Sequence, residues 1–252
     1  MASTRGQRYL AEFLGTFALL LFGDGAAVLS APVAGLGYTP DAARVVLISS
    51  AFGLTLLAGA FAFGEVSGGH FNPAVTLSMA FARRMPLADV GPYLVVQVLG
   101  GLTAVLTIAG IAYGSADSWT TAHAMALGSE GYAGNGSPYA FSVGSVFLIE
   151  LALTFVFILV IQLVTRPENG TKNLAPLAIG SMLLLGNLVA IPVDGASLNP
   201  IRAFAPALLS AGWSGSTWAI DQSWLFWVAP VLGGLLAAVV AMAFRSRTPV
   251  GG

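Results

Sequence analysis

Ser67-Gly68-Gly69-His70-Phe71-Asn72-Pro73-Ala74 has a counterpart 127 residues later, Asp194-Gly195-Ala196-Ser197-Leu198-Asn199-Pro200-Ile201. Two further strings agree in the same order. Ala11-Glu12-Phe13-Leu14-Gly15-Thr16-Phe17 pairs with Ile149-Glu150-Leu151-Ala152-Leu153-Thr154-Phe155 at an offset of 138 residues. Gln97-Val98-Leu99-Gly100-Gly101 pairs with Pro230-Val231-Leu232-Gly233-Gly234 at an offset of 133. Short apolar strings often agree by chance. Three ordered marks that include Asn-Pro do not, and their drifting offsets mean that loop lengths differ while the order of elements is kept.

Around these marks lie six apolar runs, residues 9–29, 43–63, 90–113, 142–164, 174–193 and 223–244. Each is long enough to cross ~30 Å of hydrocarbon as a helix. The repeats, approximately residues 9–113 and 142–244, hold three runs apiece. An odd number of crossings makes the second repeat enter from the opposite side. The repeats are therefore inverted, and a permeation path belongs at their interface near the midplane.

Composition agrees. Only 8% of the 252 residues are charged and 56% are hydrophobic, against ~25% charged in a soluble domain. So few charges cannot clothe a water-facing surface, so the solvent is largely lipid. A net charge of −1 gives no reason to expect a nucleic-acid partner. The chain has no cysteine, hence no disulfide, thiolate metal site or cysteine nucleophile. With His70 and His123 its only histidines, a multi-histidine metal centre is not expected, nor is a cofactor. The first run continues past Leu29 without a small-residue cleavage site and reads as a retained span. Residues 114–140 form the longest connection, rich in Gly, Ser and Ala and without Lys or Arg. Nothing resembles a linker, so residues 1–252 read as one domain.

Basic residues set the topology. Arg5, Arg8, Arg83, Arg84, Arg166, Lys172, Arg245 and Arg247 fall on one side if six spans alternate, with Arg44 and Arg202 on the other. That asymmetry places both termini in the cytoplasm.

Both Asn-Pro pairs lie between spans, yet residues 73–82 and 200–209 are too apolar for solvent loops. About ten helical residues reach ~15 Å, half the hydrocarbon thickness. Two such half-helices entering from opposite leaflets would meet head to head. Asn is a favoured N-cap, and Pro is favoured at the first helical position, where its missing N–H removes nothing. A capping Asn uses its carbonyl on the backbone and leaves NH2 donors, so Asn72 and Asn199 would face one lumen. The half-helix dipoles make that midpoint positive, which repels cations and turns water oxygens towards the amides. The irregular backbone of residues 64–71 and 194–198 is tolerable in a membrane only beside a wet cavity. A single Asn-Pro reads as a turn; two at equivalent repeat positions, each opening a half-span segment, do not.

At this point the whole chain resembles the aquaporin/glycerol-facilitator (major intrinsic protein) family. Ser67-Gly-Gly-His-Phe-Asn-Pro-Ala-Val-Thr76 matches its signature, whereas Asn199-Pro200-Ile201-Arg202 departs from the usual Asn-Pro-Ala-Arg by Ile201. The resemblance implies an all-α membrane protein of six transmembrane helices plus two re-entrant half-helices. It also implies a homotetramer with one pore per protomer, in the cell membrane.

In that family the tightest constriction is built from four positions, which carry over to Phe52, Asn187, Ala196 and Arg202. Water channels resemble Phe, His, a small residue and Arg there; glycerol facilitators resemble Trp, Gly, Phe or Tyr, and Arg. Asn187 replaces the water-type His, and being smaller and unable to gain a proton near neutral pH it predicts a somewhat wider filter. Ala203 after the Arg, where glycerol facilitators usually carry Asp, and the pair Phe226-Trp227 both favour water. The expected function is a passive, osmotically driven water channel that excludes protons and ions, not an enzyme. A wider channel for glycerol or other small neutral solutes is the alternative.

Single residues carry competing readings. Arg202 is the one basic residue set deep on the outer side, where charge is expensive and usually functional; otherwise it is a loop arginine reaching water. Glu12 and Glu150, intramembrane carboxylates at equivalent sites, suit anchors for the loops before the half-helices better than a proton relay. His70 either lines the inner vestibule or packs its loop. His123 belongs in the solvated outer loop. Ile201 either narrows the lumen or repacks the half-helix contact. Gly100, Gly101, Gly233 and Gly234 permit close helix contact, between subunits or within one. A secondary active transporter shares inverted repeats and broken helices, but few groups here could couple an ion.

Overall fold

The computed structural model describes residues 3–30, 42–166, 172–215 and 217–244, and all regular structure among them is helical. The basic flank Arg245 and Arg247 lies outside the described residues. Six helices are long and apolar enough to cross a membrane: α1 (Arg5–Leu29), α2 (Ala42–Ser67), α4 (Val90–Tyr113, entered through a 3-10 turn at Leu87–Asp89), α6 (Val143–Val164), α7 (Ala175–Asp194) and α9 (Trp218–Ala243). Between them lie the half-helices α3 (Pro73–Phe81) and α8 (Pro200–Ser214), and α5 (Ala116–Ala124) lies in the long connection between α4 and α6.

Helix ends follow local chemistry beyond the apolar runs. α1 starts four residues before its apolar run because Thr4 and Gln7 form a reciprocal cap. The Gln7 amide N–H donates to Thr4 Oγ1 at 3.3 Å, and the Thr4 N–H donates to Gln7 Oε1 at 2.8 Å. α8 runs to Ser214, past the expected end at 209, and stops where Gly215 adopts a left-handed φ of 67°. The connection 114–140 is more structured than its composition suggests. Ser115 caps α5 through its hydroxyl, and a 3-10 turn at Ala126–Gly128 follows.

Packing repeats across the two halves. α1 packs on α4 and α6 on α9, while α2 meets α7 where the halves join. Each half-helix packs against the last span of the other repeat, α3 on α9 and α8 on α4. Close approach explains the glycine pairs. A Cβ at Gly100 would lie 2.5 Å from the Phe13 carbonyl of α1, and one at Gly233 would lie 2.5 Å from the Leu151 carbonyl of α6. These glycines therefore serve helix contacts within one subunit.

Before the two Asn-Pro pairs the backbone takes the same unusual path twice. Gly68 and Gly195 have φ of 95° and 99°, Gly69 and Ala196 have 62° and 65°, and Phe71 and Leu198 have 47° and 52°. Left-handed φ at a bulky residue costs about 1–2 kcal/mol, so something must hold these turns.

Candidate functional site: the pore between the opposed half-helices

Two buried carboxylates hold the turns. Glu12 of α1 accepts from Ser67 Oγ (2.7 Å), the His70 N–H (2.9 Å), the Phe71 N–H (2.8 Å) and Gln97 Nε2 (2.8 Å). Glu150 of α6 accepts from the Ser197 N–H at 2.8 Å and the Leu198 N–H at 2.9 Å. Each carboxylate thus satisfies backbone donors that the left-handed turns leave without helical partners.

The turns deliver Asn72 and Asn199 to the half-helix N-termini. Asn72 Oδ1 accepts from the Ala74 N–H at 2.8 Å, Asn199 Oδ1 accepts from the Ile201 N–H at 3.0 Å, and Pro73 and Pro200 open the helices. Their amide nitrogens do not both point freely into the lumen as the sequence suggests. Asn72 Nδ2 donates to the Leu198 carbonyl at 2.8 Å and Asn199 Nδ2 donates to the Phe71 carbonyl at 2.9 Å. Each loop thereby latches the other, and each NH2 keeps one further N–H, since an amide nitrogen carries two.

A cavity passes this point. Leu19, Phe52, His70, Asn72, Asn199 and Arg202 are among the residues that bound it, and its volume is about 10 Å³. That is about the space one water-sized sphere occupies. His70 also borders the vestibule below, about 500 Å³, together with Glu65 and Arg84, and its Nδ1 lies 3.1 Å from Thr76 Oγ1. On the opposite side of the asparagines lies a second cavity, of about 30 Å³, bounded by Arg44, Gly128, Gly195 and Arg202. The passage is wide on one side and water-narrow at the asparagines.

Of the four positions expected at the constriction, Phe52 and Arg202 come together, with Arg202 Cζ 5.4 Å from the Phe52 ring centre. Asn187 is buried on the α7 face that also carries Leu183 and Ile191. Its Nδ2 donates to the Leu183 carbonyl at 2.9 Å, and its Oδ1 has no hydrogen-bond partner among the described residues. Ala196 is buried, and its N–H donates to Asp194 Oδ1 at 2.8 Å. Ile201 turns away from the passage: its Cγ2, with Leu20 and Ala205, occupies the space over Gly101 of α4. Ala74 sits over Gly234 of α9 in the same manner, its carbonyl 3.0 Å from where a Cβ would be. His123 is exposed, with its ring against Trp119.

Sequence reasoning missed the surroundings of Arg202. The guanidinium lies 3.4 Å, Nε to Oδ1, from Asp24 of α1, and Nη1 forms an ion pair with Glu130 of the connection between α4 and α6. Nη1 also donates to the Gly128 carbonyl at 2.8 Å, and Nη2 donates to the Gly195 carbonyl at 3.3 Å. Burial pushes the Glu130 carboxyl well above the usual range, with the Arg202 charge pulling the other way. Asp24 was detectable as an acid inside the first apolar run; Glu130 carried no signal, because its partner is distant in sequence.

The profile of the family described as major intrinsic protein matches residues 2–241. The chain is 42% identical over 235 residues to Aquaporin Z of Rhodopseudomonas palustris, covering 92% of this chain and 91% of that one. It is 40% identical over 232 residues to Aquaporin Z of Photorhabdus laumondii, covering 91% and 94%. The fold is similar to the X-ray structure of the aquaglyceroporin from Plasmodium falciparum, with a TM-score of 0.74 at 23% identity over 94% of this chain and 95% of that one. Six apolar helices and these relatives together make the chain an integral membrane protein.

Proposed function

From the premise that the chain belongs to the major intrinsic protein family, we propose that it is a passive water channel. One observation carries this reading: two half-helix N-termini, each capped by an asparagine, face a passage with room for about one water. Each amide offers one N–H beyond the latch, and the dipoles of α3 and α8 make the meeting point positive. A water there accepts through its oxygen and turns its hydrogens outward to both sides, which interrupts a proton wire and repels cations. The two Aquaporin Z relatives support water as the solute.

Outside the asparagines, Phe52, Asn187, Ala196 and Arg202 form the selectivity filter in this reading. Arg202 over Phe52 supplies a donor on one wall and an apolar face on the other. His70 lines the inner approach. Asn187 provides an acceptor oxygen where water channels have His, and its smaller side chain leaves a wider opening. The glycerol alternative rests on that single substitution.

Stopped-flow shrinkage of proteoliposomes in an impermeant osmolyte tests the reading. Water flux well above that of empty vesicles, unaffected by proton or sodium gradients, is the expected result; flux equal to empty vesicles sinks it. Gradient-dependent uptake would favour a secondary transporter. The substitution Asn187→His narrows the filter and lowers the glycerol-to-water permeability ratio; an unchanged ratio removes Asn187 from it.

Both termini are assigned to the cytoplasm of a cell-membrane homotetramer. The shared side of the arginines supports the orientation. Arg8 pairs with Asp89 at 2.9 Å, Arg84 donates to the Thr165 carbonyl at 2.8 Å, and Arg166 donates to the Phe244 carbonyl at 2.9 Å. These contacts tie the starts of α1 and α4 and the ends of α3, α6 and α9 into one face, while Arg44 and Arg202 border the opposite cavity.

A further inference from the structure

Arg202 is gripped by acid from two directions. Asp24 is fully buried within α1, and neither of its carboxylate oxygens makes a hydrogen bond among the described residues. The guanidinium edge 3.4 Å away is its ion-pair partner. A carboxylate inside a membrane helix is costly to bury, and this one caps no helix and closes no turn. The inverted repeat shows that the fold does not require an acid here. The equivalent position in α6, 138 residues on, is neutral Gln162, whose Nε2 donates to Ser78 Oγ at 3.0 Å. Asp24 is therefore explained by Arg202 and not by packing. Glu130 holds Nη1 from the outer connection, on the other edge of the same planar group.

We propose that Asp24, together with Glu130, is a positioning residue of the filter. The two carboxylates clamp Nε and Nη1 and draw the guanidinium back towards α1 and the outer connection. The clamp sets the width of the constriction and cancels much of the positive charge that a passing solute meets. Cation exclusion then falls mainly on the half-helix N-termini at the asparagines, a division of labour between two levels of one passage. The inference rests on the reading of Arg202 as a filter residue.

The test is the full chain in proteoliposomes, as wild type, Asp24→Asn, Glu130→Gln, Arg202→Val and the double variant Asp24→Asn/Arg202→Val. Water flux comes from shrinkage, glycerol flux from reswelling, and the amount of folded protein from its monodisperse fraction. In Asp24→Asn the loosened guanidinium leans into the lumen. Water permeability falls, and the glycerol-to-water ratio falls by about two- to tenfold, the lower part of the range for a pairwise coupling between residues in contact. Glu130→Gln moves the ratio the same way. In the Arg202→Val background Asp24→Asn adds nothing, because the group it positions is gone.

An unchanged or increased ratio in well-folded Asp24→Asn overturns the clamp, as does an equal shift in the Arg202→Val background; both would make Asp24 merely structural. If Asp24→Asn does not assemble, Glu130→Gln carries the same expectation, and its unchanged ratio overturns the proposal. Wild type no faster than empty vesicles is a different failure. It removes the water-channel reading itself, and the clamp with it.

Discussion

The two loops that deliver the asparagines share a backbone path but not a chemistry. In the first, Glu12 collects four donors, and Gln97 also donates to Thr76 Oγ1 at 3.0 Å. In the second, Glu150 collects two backbone donors; Asp194 stands where the first loop has Ser67, and Pro230 stands where it has Gln97. One loop is rich in donors and neutral around its acid. The other is poorer in donors and carries a second acid, Asp194, while Arg202 of the same half pairs with Asp24 and Glu130. An inverted repeat can thus keep its geometry while its halves differ in chemistry, the first a satisfied scaffold and the second a charged wall.

The largest break in this comparison comes from Arg202→Val. It strands Asp24 and Glu130, and leaving a buried ion-pair partner alone costs about 3–5 kcal/mol. We expect a lower unfolding temperature in detergent and a higher glycerol-to-water ratio in vesicles. Arg84→Ala is the first-half control. Its contacts include Gln162 and Thr165, which are neutral, and it should cost about 1.5–3 kcal/mol, the worth of a hydrogen bond to a charged group. Equal losses from the two arginines would erase the distinction between the halves.

A smaller effect separates the two glutamates. Glu12→Gln presents an NH2 to a site built wholly of donors and should cost about 2–4 kcal/mol, since hydrogen bonds to a charged group are worth about 1.5–3 kcal/mol each. Glu150→Gln loses only two such bonds, so a smaller loss, about 1–2 kcal/mol, is expected on the same scale. Thermal unfolding of the two purified variants checks the order, and a larger loss at Glu150 would reverse the comparison.

Much of this architecture is written locally. Span length, apolarity and the Asn-Pro caps are properties of neighbouring residues, so six crossings and two half-helices can be read before any contact is known. Helix ends are less legible. The start of α1 depends on the Thr4–Gln7 cap and the end of α8 on Gly215, while hydropathy at both places changes gradually. In the site, residue types and spacing single out Phe52, Asn72, Asn199 and Arg202, which surround one cavity. The acid around Arg202 is illegible for a physical reason. Asp24 and Glu130 come from a span and from the connection between α4 and α6, and only tertiary folding brings them to one guanidinium. The crossed latch between the asparagines and the opposite loops is hidden likewise, because each amide finds a backbone carbonyl, which every residue type provides.

The least disruptive change sharpens the comparison at its contact with the helices behind the pore. Ile201 and Ala74 occupy equivalent places in α8 and α3, and the extra bulk of Ile201 is accommodated over Gly101, away from the passage. Ile201→Val deletes one buried methyl group and should cost about 0.5–1.5 kcal/mol. Because valine keeps the Cγ2 methyl that packs α8 on Gly101 of α4, water flux per folded channel and the glycerol-to-water ratio should both stay at wild-type values. A changed ratio would mean that the outer half transmits its packing to the filter, since Arg202 follows Ile201 directly in α8. Then the two half-helices would differ not only in the charge they carry but in how stiffly their neighbours hold them.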